Sequence, residues 1–256
     1  MTITPSFNSW VTCPEPNPKA SLRLFCFPYA GGSSTIYRTW SADLPSTVEV
    51  CPIELPGRAR QMRLAAFTRL EALLEAIAPI LLPYLDKPFA FFGYSMGALL
   101  SFELTHLLRR EYNLHPVHLF LSARRAPQIP PDKPPIHNLS EPAFKEELRR
   151  LNGTPPQVLE NSELMEILIP TLRADFAVLE TYVYAPHPRL DCPVTVFGGL
   201  RDKDISYSQL QGWQEHTNGA FSIKMFDGDH FFVQSSPLLL LKSLSQELQK
   251  IQLSRF

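Results

Sequence analysis

Gly93-Tyr94-Ser95-Met96-Gly97 is a G-x-S-x-G pattern that stands between a short apolar run and a run with helical spacing. The aromatic segment 88–92 before it is bounded by Pro and Gly, which predicts a buried strand. Segment 98–108 after it carries apolar residues at helical intervals. Glycines on both sides of a sharp turn let strand and helix approach closely, and the turn then lifts the serine hydroxyl outward. Ser95 is therefore the candidate nucleophile.

A serine nucleophile needs a base, and the base needs an acid that orients it. The strand-like run 193–197 leads into a loop with Asp202 and Asp204, and the run 221–226 leads into a Gly-containing loop with His230. The order Ser, Asp, His is that of the α/β-hydrolases, so His230 is the candidate base. The pattern alone leaves Asp202 and Asp204 as alternatives for the acid. The remaining histidines are interpreted as surface or packing residues: His106, His115, His118, His137, His187 and His216.

Acyl-transfer chemistry also requires two backbone N–H groups that face the developing oxyanion. The residue after the nucleophile, Met96, is expected to supply one of them. The other should come from the loop that follows an early strand, here predicted at 22–27. The loop Pro28-Tyr29-Ala30-Gly31-Gly32 fits this place, with Ala30 as the preferred donor and Tyr29 as a candidate substrate contact.

Strand and helix signals alternate along the chain, which predicts an α/β fold with a mainly parallel central sheet and helices on both faces. We expect one domain over residues 1–256. Segment 126–188 interrupts the alternation with a proline-rich entry and helical patterns at 141–151 and 163–184, which predicts an inserted helical lid. Apolar residues at helical spacing could line an acyl chamber under this lid or simply pack on the core: Met165, Leu168, Leu172 and Phe176.

Two local signals predict where helices begin. Thr68-Arg69-Leu70-Glu71 has the form of a capping box that opens a helix, which Pro79 and Pro83 should end or kink. Pro237 is expected to begin the terminal helix, because proline suits the first helical position.

The composition excludes several classes of function. The 256 residues carry 24 basic and 25 acidic side chains, a net charge of −1, so no strong field favours nucleic acid or an anionic membrane. Residues 1–8 lack the pattern of a secretory signal and no run is long enough for a membrane span, which predicts a cytoplasmic protein. The four cysteines lack metal-ligand spacing and are expected to be free thiols, so no metal is predicted.

Four motifs taken together resemble the type II thioesterases, the stand-alone editing hydrolases of polyketide and nonribosomal peptide synthesis. They are residues 25–32, 55–58, 93–97 and 228–232, and the likeness runs from about Trp10 to the terminal helix. The resemblance implies Ser95 as nucleophile and His230 as base, and it favours Asp202 as the acid. Position 94 is Tyr where many members have His, and position 229 is Asp where a second Gly is frequent, but both changes leave the catalytic atoms in place.

The resemblance also implies a substrate and a partner. Such an enzyme removes acyl groups from the phosphopantetheine arm of an acyl or peptidyl carrier protein and has no cofactor of its own. Carrier domains of these systems are usually acidic around the arm, so Arg124, Arg125 and Lys133 are candidate contacts. The alternatives are a small-molecule carboxylesterase of the same fold and, less favoured, a non-catalytic binding module.

Overall fold

The computed structural model describes residues 10–13 and 15–253. The expectation about residues 1–8 therefore lies outside the described residues. Six strands follow one another along the chain: β1 Leu22–Phe27, β2 Val48–Pro52, β3 Phe89–Tyr94, β4 His118–Ser122, β5 Val194–Gly199 and β6 Phe221–Phe226. The α-helices are α1 Leu70–Leu81, α2 Met96–Tyr112, α3 Glu141–Leu151, α4 Pro156–Leu159, α5 Ser162–Glu180, α6 Tyr207–Gln211, α7 Phe232–Ser235 and α8 Pro237–Leu253. Short 3₁₀ turns lie at Ser34–Tyr37, Trp40–Ala42, Ala59–Gln61, Leu82–Tyr84 and Gly212–His216.

The strands form one sheet in the order β2-β1-β3-β4-β5-β6, and every neighbouring pair is parallel. This confirms the predicted parallel sheet. The carboxyl ends of parallel strands meet at one edge, so the loops after β1, β3, β5 and β6 converge there. All the residues proposed for catalysis follow one of these strands.

Both faces of the sheet are covered, because successive side chains of a strand point to opposite sides. In β1, Phe25 and Phe27 pack into the core shared with α1 and α2, whereas Leu24 and Cys26 pack into the core shared with α8. All four side chains are fully buried. The predicted placement of helices on both faces is thus confirmed.

The helix starts were predicted with mixed success. Helix α8 begins at Pro237, as expected. The predicted capping box is wrong: α1 begins at Leu70 after Arg69, and no side chain caps it. Leu70 is the first residue of the buried face and packs into the core, and this packing sets the start of the helix without a cap. Pro79 is accommodated inside α1, which ends at Leu81 ahead of a 3₁₀ turn that contains Pro83.

Segment 126–188, which we call the lid, lies between β4 and β5. The structure describes this whole segment; it contains α3, α4 and α5 and no strand. Helix α3 has the predicted bounds, and α5 runs over Ser162–Glu180 rather than 163–184. The lid has a small apolar core of its own, formed by Ile136, Phe144, Leu148, Leu159, Met165, Ile169 and Leu172. The prediction that the chain is one domain, with this lid as an insertion, remains a prediction.

No helix within residues 10–13 and 15–253 is both long and apolar enough to cross a membrane.

A tight backbone contact between α2 and β1 gives a stability prediction. A Cβ at Gly97 would lie 2.2 Å from the carbonyl oxygen of Phe27, and main-chain atoms cannot move aside as a flexible side chain can. Gly97→Ala should therefore lower the free energy of unfolding by about 3 kcal/mol or more, measured by urea denaturation. Gly212→Ala is the control, since its Cβ would first meet the end of the Ile129 side chain at 2.9 Å. Equal, small losses in both variants would contradict the argument.

Candidate active site

Ser95 lies in a strained turn between β3 and α2. Its φ of 52° and ψ of −106° are unfavourable for a residue with a Cβ. The two flanking glycines allow the turn: a Cβ at Gly93 would lie 2.2 Å from the Gly97 carbonyl oxygen. The Ser95 N–H donates to the carbonyl of Ser122 at the end of β4, at 2.8 Å, and so ties the turn to the sheet. The predicted strand, turn and helix are all present.

The structure brings Ser95, His230 and Asp202 together in one hydrogen-bonded chain. His230 Nε2 lies 3.2 Å from Ser95 Oγ, and His230 Nδ1 lies 2.8 Å from Asp202 Oδ2. The other carboxylate oxygen of Asp202 accepts the N–H groups of Asp204 at 2.8 Å and Ile205 at 3.1 Å. The Asp202 side chain is only 1% exposed, against 16% for His230. This geometry fixes the imidazole with Nε2 facing the serine hydroxyl.

Asp204 faces the other way. Its carboxylate pairs with Lys133 and, at 3.2 Å, with Arg150 of α3. Partial burial favours the neutral acid, but the hydrogen bonds from these two cations outweigh it and lower the pKa of Asp204 below its usual value. Of the two aspartates, only Asp202 is bonded to His230, and Asp204 joins the triad loop to the lid.

The other buried histidines lie within the protein core. His118 Nε2 bonds Thr195 Oγ1 at 2.9 Å, and burial lowers the pKa of His118 to about 4. His106 stacks on His187 at 4.1 Å between ring centroids, and burial lowers the pKa of His106 to about 3. These contacts agree with the interpretation of both as packing residues.

Two main-chain amides are available beside the triad. Within the part of the chain that the structure describes, the N–H groups of Met96 and Ala30 donate to no protein acceptor. Met96 is the first residue of α2, where four N–H groups lack helical partners and the dipole favours negative charge. Ala30 lines the cavity that also exposes Ser95 and His230. Both predicted donors thus lack a protein partner, and their role in an oxyanion hole stays a prediction.

The triad opens into a cavity of about 950 Å³ between the sheet and the lid. Tyr29 lines it on the side of the body, and α5 contributes Leu168, Leu172 and Phe176. The structure places Met165 in the lid's own apolar core, where it is fully buried, and not among the residues that line the cavity. Leu172 lies on the same side of α5 two turns further along and does line the cavity, so helical spacing alone does not separate the two. A contact between Met165 and substrate stays a prediction.

The basic residues suggested as carrier contacts separate into two groups. Lys133 is exposed and pairs with Asp204. Arg124 and Arg125 are half-buried on the cavity wall, and burial lowers the pKa of Arg124 to about 9. All three line the cavity, and their contact with a carrier stays a prediction.

Sequence reasoning missed an ion pair beside the site. Arg58 Nη1 and Nη2 donate to the two carboxylate oxygens of Asp175 at 2.8 and 2.6 Å, and both side chains are buried. The same Asp175 oxygen Oδ2 accepts the N–H of Gly31 at 2.7 Å, and Arg58 Nη1 donates to the carbonyl of Gly32 at 3.0 Å. The sequence held two signals for this ion pair. One is the Leu55-Pro56-Gly57-Arg58 motif, and the other is Asp175, an acid among the apolar residues of helix α5.

The cysteines are free thiols. The Sγ atoms of Cys13 and Cys51 approach to 3.3 Å on the side of β2. Among the described residues no three His, Cys, Asp or Glu side chains converge as metal ligands.

A parallel sheet with a serine at its sharp turn and a His-Asp pair on later loops defines an α/β-hydrolase. A family model of the thioesterase domain matches residues 22–245. Gramicidin S biosynthesis protein GrsT of Aneurinibacillus migulanus is 43% identical over 251 residues, 98% of each chain. Thioesterase PikA5 of Streptomyces venezuelae is 33% identical over 240 residues, 93% of this chain and 85% of that one.

Among solved structures, RedJ, the thioesterase from the prodiginine pathway in Streptomyces coelicolor, superposes with a TM-score of 0.84 at 37% identity, covering 91% of this chain and 87% of its own. This chain therefore belongs to the thioesterase family. It is a thioesterase, and the resemblance to the type II enzymes is confirmed.

The two aspartates of the triad loop give a direct test. Asp202→Asn should lower kcat by about 10⁴, as the loss of the orienting carboxylate does in a Ser-His-Asp triad, because the amide favours the wrong imidazole tautomer. Asp204→Asn keeps the Asp202–His230 bond and should reduce kcat only mildly. Steady-state kinetics on a small acyl thioester measure both, and the reverse ranking would assign the acid to Asp204.

Proposed function

We propose that this thioesterase removes acyl groups from the phosphopantetheine arm of carrier proteins that serve nonribosomal peptide or polyketide synthesis. The observation that carries the proposal is the hydrogen-bonded triad of Ser95, His230 and Asp202, which opens into a lid-covered cavity of about 950 Å³. A cavity of this size can hold an acyl group together with the end of the arm. Solved structures that cover more than nine tenths of this chain include proteins of combined nonribosomal peptide and polyketide synthase pathways, which supports this class of partner.

The chemistry would run in two steps. Ser95 Oγ attacks the thioester carbonyl carbon while His230 Nε2 takes its proton, and the amides of Met96 and Ala30 bind the oxyanion. The C–S bond then breaks, and the arm leaves as a thiol that takes the proton from His230. In the second step His230 takes a proton from water, the hydroxide adds to the acyl carbon, and Ser95 regains its proton as the carboxylic acid leaves.

No cofactor takes part in this scheme, because each bond is made and broken between the acyl group, the sulfur of the arm, Ser95 and water. Phosphopantetheine enters as part of the substrate, attached to the partner. Asp202 holds the imidazole and stabilises its charged form without itself taking up a proton.

Ser95→Ala tests the covalent step. The variant should fold as the parent does, since within the described residues the one hydrogen bond of Ser95 Oγ is to His230, and kcat should fall by several orders of magnitude. When acyl-carrier protein with a labelled acyl group is added, the parent enzyme should show a burst of labelled acyl-enzyme and the variant should show none. A folded Ser95→Ala variant that kept a tenth of the activity would refute Ser95 as the nucleophile. Faster turnover of oxygen esters than of thioesters with the same acyl group would favour a carboxylesterase.

The carrier should dock near the mouth of the cavity, where Lys133 and Arg150 are exposed and line its wall. Lys133→Ala with Arg150→Ala should raise KM for acyl-carrier protein and weaken the salt dependence seen in the parent. Hydrolysis of the acyl N-acetylcysteamine thioester should stay unchanged, because it needs no docking.

Arg149→Ala is the matched control for the docking variant. Arg149 lies beside Arg150 on helix α3, pairs with Glu146 and does not line the cavity. An equal rise of KM in this control, or equal losses on both substrates in the docking variant, would contradict this docking surface.

A further inference from the structure

The Leu55-Pro56-Gly57-Arg58 motif lies outside the triad, yet its arginine reaches the loop proposed to form the oxyanion hole. We propose that Asp175 of lid helix α5, held by Arg58, is a positioning residue for the amide of Ala30, so that hydrolysis requires α5 to be seated on the body. The inference rests on the proposed function, because it concerns the oxyanion of that reaction.

The Ala30 N–H lies in the peptide plane that it shares with the Tyr29 carbonyl. That carbonyl accepts the N–H of Gly32 at 2.8 Å, which closes a turn around Ala30 and Gly31. The plane after Ala30 is held through the Gly31 N–H, which donates to Asp175 Oδ2 at 2.7 Å. The first restraint lies within the loop, and the second comes from the lid. Loss of Asp175 would therefore leave Ala30 held on one side only, in a turn that has lost this hydrogen bond to α5.

Arg58 holds the Asp175 carboxylate in place. It donates two hydrogen bonds to Asp175 and further ones to the carbonyls of Gly32 and Pro56. A buried carboxylate without such partners would be unstable as an anion. The guanidinium thus fixes the acceptor that Gly31 uses, and it binds the same loop through the Gly32 carbonyl.

Attachment of the lid alone does not require this charge pair. Helix α5 already contacts the body through Thr171 Oγ1, which donates to the Gly57 carbonyl at 2.6 Å. Leu172 packs against Gly31 so closely that a Cβ there would lie 2.5 Å from its Cδ2 atom. What Asp175 adds is an acceptor aimed at one amide of the oxyanion loop.

The consequence is a coupling between substrate enclosure and catalysis. A movement of α5 that widens the cavity would withdraw the acceptor from Gly31 and loosen the turn that carries the Ala30 amide. An oxyanion hole that is not preorganised loses most of its effect. The enzyme would then hydrolyse a thioester only when the lid is closed over it, which is the gating role known for mobile lids.

The experiment compares three variants by kcat and KM on an acyl N-acetylcysteamine thioester and by the rate at which an alkyl fluorophosphonate labels Ser95. Labelling forms an Oγ–P bond and expels fluoride while His230 takes the proton, so it uses the oxyanion hole without any thioester. Asp175→Ala should lower kcat about ten- to a hundred-fold, leave KM near the parent value, and slow labelling by a similar factor. Asp175→Asn retains a carbonyl acceptor for Gly31 and should recover part of both rates.

Thr171→Val is the matched control, because it removes a buried bond between the same helix and the body but leaves Gly31 untouched. It should lower the thermal unfolding midpoint with little change in kcat or labelling. If Asp175→Ala does not fold, Asp175→Asn carries the test and should show smaller parallel losses.

Parent-like kcat and labelling in the folded Asp175 variants would overturn the inference. So would kcat losses in Thr171→Val as large as theirs, since these would indicate attachment of the lid alone. The two proposals fail in different ways. If the parent enzyme is labelled normally but hydrolyses no carrier thioester, the proposed function is refuted. The labelling rate of Asp175→Ala still tests the coupling in that case.

Discussion

The close approach of helix α2 to the end of strand β1 constrains the whole site. Gly97 lies against the Phe27 carbonyl, and Gly93 lies against Gly97, so neither position has room for a Cβ. Because the backbones meet there, Ser95 is forced to a positive φ with its hydroxyl above the sheet edge. The loop after β1 is brought to the same edge, which places Ala30 beside the nucleophile. One steric contact thus relates the nucleophile to the oxyanion loop.

Around this contact the polar groups are held in two separate systems. Asp202 and His230 form one, and the charge pair of Arg58 and Asp175 forms the other. The first belongs to the loops after β5 and β6, and the second joins the body to the lid. Asp204 with Lys133 makes a further link between the triad loop and the lid, nearer to solvent. Hydrogen bonds from the lid therefore reach both sides of the reacting centre.

The cavity between sheet and lid combines apolar and charged walls. Leu168, Leu172 and Phe176 line it from α5, and Arg124 lies half-buried on the side of β4. Apolar walls suit the hydrocarbon part of an acyl group. The exposed cations Lys133 and Arg150 lie on the wall of the same cavity, beside Asp204. The groups proposed to meet a partner thus border the chamber that would hold the acyl group.

The sequence by itself determined the parallel sheet, the elbow at Ser95 and the order of Ser, Asp and His, because these depend on local spacing along the chain. Its pattern left Asp202 and Asp204 as alternatives, since both lie in one loop and only packing decides which carboxylate faces the imidazole. Tertiary structure alone placed Met165 in the lid core and joined Arg58 to Asp175 across 117 positions of the chain. A hydrogen bond between distant segments leaves no periodic trace in sequence, because its geometry exists only once the lid has packed on the sheet.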